Sequence, residues 1–445
     1  MSSVLLPPSD ADVSSLDTPS IARAAVSALR SSKIREVANV GMTLPGVLPF
    51  WFGESNQITP PFIRDAASSA LADGHTFYTH NLGIAPLREA LATYGSGLHG
   101  TIDPETIGVT AGGVSALMLA TQILVGTGDR VVAVTPLWPN LVEMPKIVGA
   151  QVETVSLEFG PAGWQLDLQR LLDALTPGTR MVMVNSPNNP TGWVMPRAQQ
   201  IALLAHCRKL GIWIVADEVY ERLYYGDDVA PSSRPGAEVP TLASVSMRAA
   251  SMAPSMSPST APALAPPIAP SFLDISSRDE RVIVVNSFSK SWLMTGWRLG
   301  WAVAPKELME DWGKLAEYNT SCVADFVQRA GVVAVQQGES VARTVQRDLH
   351  ARRDHLFAEL SQIPGVDVKL PPGAMYLFFR IAGFTDSLAL CKDLVRSAKL
   401  GLAPGIAFGD EGEGYVRWCY ASDTTQLDLG VQRLGDFLAS HPSRR

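Results

Sequence analysis

One short stretch of this chain gathers the residue types best suited to covalent chemistry. It reads Asn286-Ser287-Phe288-Ser289-Lys290 and continues to Thr295-Gly296-Trp297-Arg298-Leu299-Gly300-Trp301. It begins where an apolar run, Val282 to Val285, predicts a buried strand. A lysine held among apolar walls gives up its charge readily, because burial disfavours the protonated form. A neutral lysine amine is what a carbonyl compound needs to form a Schiff base. The arginine eight residues beyond sits in a Gly/Trp-rich turn, and with the nearby serines it suits a phosphate.

Other segments supply complementary groups. Ala216-Asp217-Glu218-Val219-Tyr220 follows the apolar run Trp213 to Val215. A carboxylate at a strand end can keep the nitrogen of a pyridine ring protonated, and a tyrosine three residues later can offer a hydroxyl. An N-cap aspartate followed by a core tyrosine would read the same way. Asn185-Ser186-Pro187-Asn188-Asn189-Pro190-Thr191-Gly192 reads as a tight turn after another strand. Ala111-Gly112-Gly113-Val114-Ser115 lies between a strand and a helix, where bare amides bind phosphate, although glycine also punctuates such junctions. Trp138 follows a third strand as either a stacking ring or a core residue. Arg417, in Tyr415-Val-Arg-Trp-Cys-Tyr420, can grip a carboxylate bidentately or serve a structural ion pair.

Taken in order from about Gly53 to Arg417, these segments resemble the class I/II aminotransferases, a family of fold-type I pyridoxal-phosphate enzymes. The resemblance implies pyridoxal 5'-phosphate held by Lys290 as an internal aldimine. It implies ping-pong transfer of an amino group from an L-amino acid to a 2-oxo acid. Asp217 would face the ring nitrogen, and Asn189 and Tyr220 the phenolic oxygen. Trp138 would stack on the ring. The amides of Gly113 and Val114, with Ser287 and Arg298, would take the phosphate. Arg417 would hold the substrate carboxylate, with Asn189 and Gly53 beside it. Phe52-Gly53-Glu54-Ser55-Asn56-Gln57-Ile58-Thr59-Pro60 resembles the family's G-E-P-x-x-x-T-P segment, with Ser55 in place of proline. Tyr78 resembles a tyrosine that reaches the neighbouring subunit's phosphate, which implies a homodimer with shared sites. The same residues serve a C–S β-lyase or an aminocyclopropane-carboxylate-synthase-like enzyme, which is the alternative activity. Phe50-Trp51-Phe52, beside the Gly53 segment, is expected to favour an apolar or aromatic substrate side chain.

The elements that must position these residues alternate. Strands are expected at Ile107–Thr110, Arg130–Val134, Gln151–Val155, Met181–Val184, Trp213–Ala216 and Arg281–Val285. Helices are expected at 21–37, 60–71, 86–94, 114–124 and 198–210. Apolar strands separated by helices predict an α/β fold around a mostly parallel sheet, with ligands beyond the strands' carboxyl ends, and the family resemblance implies seven strands in it. The expected organisation is a disordered tail at 1–18, a segment at 19–59 packing on a small domain, and a large cofactor-binding domain at 60–305. A smaller α+β domain follows at 306–445. Residues 233–270, rich in Ser, Pro, Ala and Met, read as a flexible insertion. Val229-Ala-Pro-Ser232 and Ile268-Ala-Pro-Ser271 echo each other across it.

Composition narrows the class. The 445 residues are 46% hydrophobic and 18% charged, enough for a large core in more than one domain. A net charge of -7 gives no reason to expect nucleic acid or a membrane surface. The four cysteines form no C-x-x-C pair, so no metal is expected. Neither a signal peptide nor an apolar span is legible, and a cytoplasmic enzyme is the expectation. Gly95-Ser-Gly-Leu-His-Gly100 spells G-x-G-x-x-G but follows a helix, which argues against a dinucleotide site.

Overall fold

The computed structural model describes residues 21–226 and 267–441. The expected tail at 1–18 and residues 233–266 of the expected insertion lie outside them.

Seven strands form the main sheet: β1 Ile107–Thr110, β2 Arg130–Thr135, β3 Gln151–Ser156, β4 Thr179–Asn185, β5 Trp213–Asp217, β6 Val282–Ser287 and β7 Gly300–Val303. Their order is β1-β7-β6-β5-β4-β2-β3. All pairings are parallel except those of β7, which runs antiparallel to both β1 and β6. The period-two geometry of a strand explains how this sheet is covered on both faces. Val132, Val134, Val182, Val184, Ile214, Val282 and Val284 enter one apolar cluster. The alternate residues Val131, Ala133, Met181, Met183, Val215, Ile283 and Val285 enter another. Each buried Val, Ile or Met side chain contributes about 1.5–3 kcal/mol, so the central strands anchor whatever follows their ends.

The helices that matter to the site are α1 Lys33–Gly41, α2 Pro61–Ala72, α3 Ala85–His99, α4 Gly113–Leu124, α5 Arg197–Leu210, α6 Phe288–Ser291, α7 Met309–Asn319, α8 Asp325–Gln337, α9 Glu339–Ser361 and α10 Thr424–Ala439. The single helix expected at 21–37 is instead a turn at Ala24–Ser27 followed by α1. Ser32 breaks it, because its hydroxyl accepts from the Arg35 amide at 3.2 Å and so caps a new start.

The small domain holds an antiparallel sheet, β8 Val366–Asp367, β9 Tyr376–Ile381, β10 Ala403–Pro404 and β11 Tyr415–Cys419, in the order β8-β9-β11-β10. Its core takes Ile34, Val37, Phe50 and Trp51 from the N-terminal segment, and Leu48–Pro49 pairs with Leu400–Gly401. The boundary drawn at 306 needs correction. Met309, Trp312 and Ala316 of α7 pack into one large-domain cluster, and Val327, Ala330 and Ala334 of α8 into the other. The small-domain core first appears in α9, at Val345 and Leu349. Both helices are amphipathic enough to read as either domain, and only packing decides.

The far edge of the insertion also moves. Ala269 is buried and its amide donates to the Glu221 carbonyl at 2.9 Å. Gln200 Nε2 donates to the Pro270 carbonyl at 2.9 Å, and Gln346 Nε2 to the Pro267 carbonyl at 2.8 Å. Residues 267–270 are therefore part of the folded domain. The G-x-G-x-x-G sequence forms the last turn and C-cap of α3, which ends at the buried His99, whose ring meets Asp274 at 2.8 Å and Glu221 at 3.1 Å. Among the described residues no helix is long and apolar enough to cross a membrane.

Candidate active site

The sheet delivers its reactive side chains to one edge. Gly113 follows β1, Trp138 follows β2, Asn189 follows β4, Asp217 ends β5, and Lys290 lies on α6 just beyond β6. Arg298 lies two residues before β7. Because β7 runs the other way, its amino end lies with the carboxyl ends of its neighbours. The sequence reading placed Arg298 in a Gly/Trp-rich turn and assigned no strand to Gly300–Val303. Gly300 makes the reversal possible. A Cβ there would stand 2.6 Å from the Gly113 amide nitrogen and 2.9 Å from the Asn286 carbonyl oxygen.

Lys290 is the centre of the site. Its Nζ donates to the Gly53 carbonyl at 2.5 Å and lies 5.6 Å from the centroid of the Tyr220 ring. Burial pushes its pKa down to about 8, and the Arg417 charge adds to the effect. Asp217 is 4% exposed, and burial pushes its carboxyl up to about 7. The Val219 amide and the Lys290 charge partly offset that rise. Two opposite charges are both disfavoured here, so each is poised to ionise when a charged partner arrives.

The turn after β4 is held from within. Asn185 Nδ2 donates to the Asp217 carbonyl at 3.0 Å, while its Oδ1 accepts from the Asn189 amide at 2.7 Å. Asn188 Oδ1 accepts from the amide and the hydroxyl of Thr191 at 3.0 and 2.7 Å. Asn185 thus fixes Asn189 relative to Asp217. The sequence motif contained Asn185 but gave it no role.

Arg417 is buried, with 2% exposure. Its Nη1 donates to Asn189 Oδ1 at 2.8 Å and its Nη2 to the Trp51 carbonyl. Among the described residues its Nε has no hydrogen-bond partner. The guanidinium lies between two rings, 4.4 Å from that of Tyr376 and 4.9 Å from that of Phe408. Among the described residues no carboxylate pairs with it, so nothing there supports the structural ion-pair explanation. Tyr376 and Phe408 were not read from sequence, since aromatics in apolar segments give no functional signal.

A second group gathers at the start of α4. The space beside Gly112 is occupied by the Arg298 guanidinium, which a Cβ at Gly112 would strike. Ser287 Cβ lies 3.6 Å from where a Gly113 Cβ would stand. The Ser287 hydroxyl caps α6 by accepting from the Ser289 amide at 3.1 Å. Arg298 donates to the Thr295 carbonyl at 2.8 Å and stays exposed. First-turn amides, the Ser287 hydroxyl and a guanidinium are the kind of donor set that a phosphate dianion requires. Val114 is partly exposed at the same helix start. Trp138 is half-buried against the cluster under β2.

Tyr78 stands apart from these groups, on a loop where it is 90% exposed and Phe77 is 82% exposed. The expectation for Phe50-Trp51-Phe52 is corrected. Phe50 and Trp51 are buried in the small-domain core, where Phe50 stacks on Trp418 at 5.0 Å. Phe52 lies under the Arg35 guanidinium at 4.8 Å. They build the segment that presents Gly53, and their apolar character is explained by that packing. Among the described residues no group of three or more His, Cys, Asp or Glu could hold a metal ion.

Comparison with known proteins points one way. The family described as aminotransferase class I and II matches residues 51–434. An aspartate aminotransferase of Pyrococcus horikoshii is 32% identical over 414 residues, covering 91% of this chain and 94% of its own length. An aromatic-amino-acid aminotransferase of Thermococcus litoralis is 28% identical over 409 residues, with 91% and 94% covered. The solved aspartate aminotransferase of Thermotoga maritima superposes with a TM-score of 0.80 at 28% identity, over 94% of this chain and 100% of that one.

Proposed function

The chain belongs to the class I and II aminotransferase family and is an aminotransferase, and from that premise we propose that it works with pyridoxal 5'-phosphate held by Lys290. It moves the amino group of an L-amino acid to a 2-oxo acid. One observation carries the reading. A buried lysine with a lowered pKa faces a buried carboxylate with a raised one, beside an arginine whose Nε is left open.

The residues fit the group. The phosphate meets the donor set at the start of α4, namely the amides of Gly113 and Val114 with Ser287 and Arg298. Asp217 has the burial to keep a ring nitrogen protonated, Asn189 and Tyr220 offer donors for the phenolic oxygen, and Trp138 offers a ring for stacking. When bound, pyridoxal phosphate supplies an aldehyde for covalent capture of amines and a ring that accepts electrons from the substrate Cα. Arg417 orients the substrate by its carboxylate, with the Gly53 backbone beside it. The Lys290 amine, freed when the substrate amine takes its place, would act as the base and acid that carries the Cα proton. Its lowered pKa leaves a sizeable neutral fraction near neutral pH. The Gly53 carbonyl keeps that amine aimed while it waits. Asp217 stabilises negative charge through the ring nitrogen.

Borohydride reduction of the loaded protein, followed by peptide mass spectrometry, tests the assignment. The cofactor mass is expected on the peptide containing Lys290; a mass on another lysine overturns it. A pH dependence follows as well. Raising pH through about 8 deprotonates Lys290, so loading of the apoprotein should accelerate between about pH 6 and 9 and level off above. Stopped-flow absorbance reads this directly, and a flat profile contradicts it.

The site is completed by a second copy of the chain. Tyr78 and Phe77 are large, exposed and adjacent, which suits a closed two-fold interface. Tyr78→Phe is expected to weaken cofactor retention by about 10-fold in equilibrium dialysis, since one hydrogen bond to a charged group is lost. Unchanged retention removes Tyr78 from the site.

A further inference from the structure

Tyr376 opens β9 in the small domain, and it is fully buried. Its hydroxyl lies 2.6 Å from that of Tyr220, which belongs to the large domain, three residues past Asp217. The two rings meet edge to face, 5.8 Å apart at 78°. Packing alone requires neither hydroxyl, because phenylalanine fills the same volume, and burying polar groups is costly. The surroundings are built to admit this one. A Cβ on residue 53 would stand 2.1 Å from Tyr376 Oη, so only glycine lets the hydroxyl reach across. That same Gly53 holds Lys290 by its carbonyl. The Arg417 guanidinium, 4.4 Å over the Tyr376 ring, fixes the ring plane. Tyr376 therefore touches Gly53, Arg417 and Tyr220 at once.

We propose that Tyr376 is a positioning residue that donates its hydroxyl proton to Tyr220 Oη, so orienting and strengthening Tyr220 as donor to the cofactor's phenolic oxygen. This rests on the pyridoxal-phosphate reading above. Burial raises the pKa of both tyrosines, so both keep their protons. Two protons between two oxygens leave one for a third acceptor. With Tyr376 as donor, the Tyr220 proton is the free one, and chained hydrogen bonds strengthen one another. The charges facing the pair are Arg417, Asp217 and Lys290, with the Cys419 thiol beside Tyr376. A tyrosine in an apolar strand carries no sequence signal for this task, because the partner is 156 residues away.

The test is a spectrophotometric pH titration of the holoenzyme, following the visible band of the lysine-bound cofactor. A stronger donor at the phenolic oxygen favours its ionised form and keeps the titration midpoint low. Tyr376→Phe is expected to raise the midpoint by about half a unit, the worth of part of a hydrogen bond. Tyr220→Phe should raise it further, and the double variant should equal Tyr220→Phe alone, since Tyr376 acts through Tyr220. Should Tyr376→Phe not fold, 3-fluorotyrosine at position 376 keeps the bond and is a better donor, so it should lower the midpoint. An unchanged midpoint in either single change at 376, or full additivity in the double variant, overturns the proposal. A wild-type protein with no band that depends on Lys290 overturns the cofactor reading itself, and is distinct from both.

Discussion

Lys290→Ala is expected to lower kcat by at least about 10⁴-fold while leaving the fold intact. Two losses combine. The amine that captures the cofactor is gone, and so is the group that moves the proton at Cα, which alone is worth about 10²–10⁴. Nothing nearby replaces it. Among the described residues, the groups around the vacated position are the Gly53 carbonyl, the Tyr220 ring, the Cys419 thiol, the Arg417 guanidinium and the carboxylates of Glu54 and Asp217, none of them an amine that could capture the cofactor. Removing a partly strained, disfavoured charge from an apolar surrounding should not destabilise the domain, so thermal unfolding of the apoprotein is expected to stay level or rise. A small external amine should restore part of the rate, because proton transfer needs a base rather than this side chain in particular. Turnover within about 10-fold of wild type would place the chemistry elsewhere.

Arg417→Ala should lower kcat/KM for amino acids by about 10²- to 10³-fold, the usual effect of truncating one partner of a buried charge pair. The argument is geometric. Arg417 is pinned by Asn189, by the Trp51 carbonyl and by two aromatic faces, all before any substrate arrives. Such preorganisation spares the substrate the cost of ordering its partner. Arg417→Lys retains charge but loses the planar fork, so it should recover only part of the loss. An alkylamine without a carboxylate is the control, because its slow reaction should not change between wild type and Arg417→Ala. If both substrates lose equally, Arg417 supports the fold rather than gripping the carboxylate.

The sequence made the parallel strands legible because each is a short, continuous apolar run, and their ends carry polar residues with few structural reasons to be there. Asn189, Asp217 and Lys290 could be placed at strand ends for that reason. β7 was not legible. It is four residues long, follows a Gly/Trp-rich turn, and runs antiparallel to both neighbours with Gly300 pressed against the start of α4. The domain boundary was misplaced because α7 and α8 resemble the helices that follow them, and only their contacts assign them. Tyr376 and Phe408 were silent for a related reason. Their roles arise from a partner in another domain or from a cation stacked on their faces, and neither leaves a local pattern. Phe50 and Trp51 erred in the opposite direction: an aromatic cluster near a functional motif proved to be core.

The most direct test of the central claim is the half-reaction. Protein loaded with pyridoxal phosphate is mixed with single L-amino acids and no acceptor, and absorbance, 2-oxo acid and ammonia are followed together. The expected result is one equivalent of 2-oxo acid per active site, loss of the lysine-bound absorbance, and no ammonia. Continuous release of ammonia and 2-oxo acid, with the absorbance regenerated, would contradict transamination and assign the same residues to a lyase.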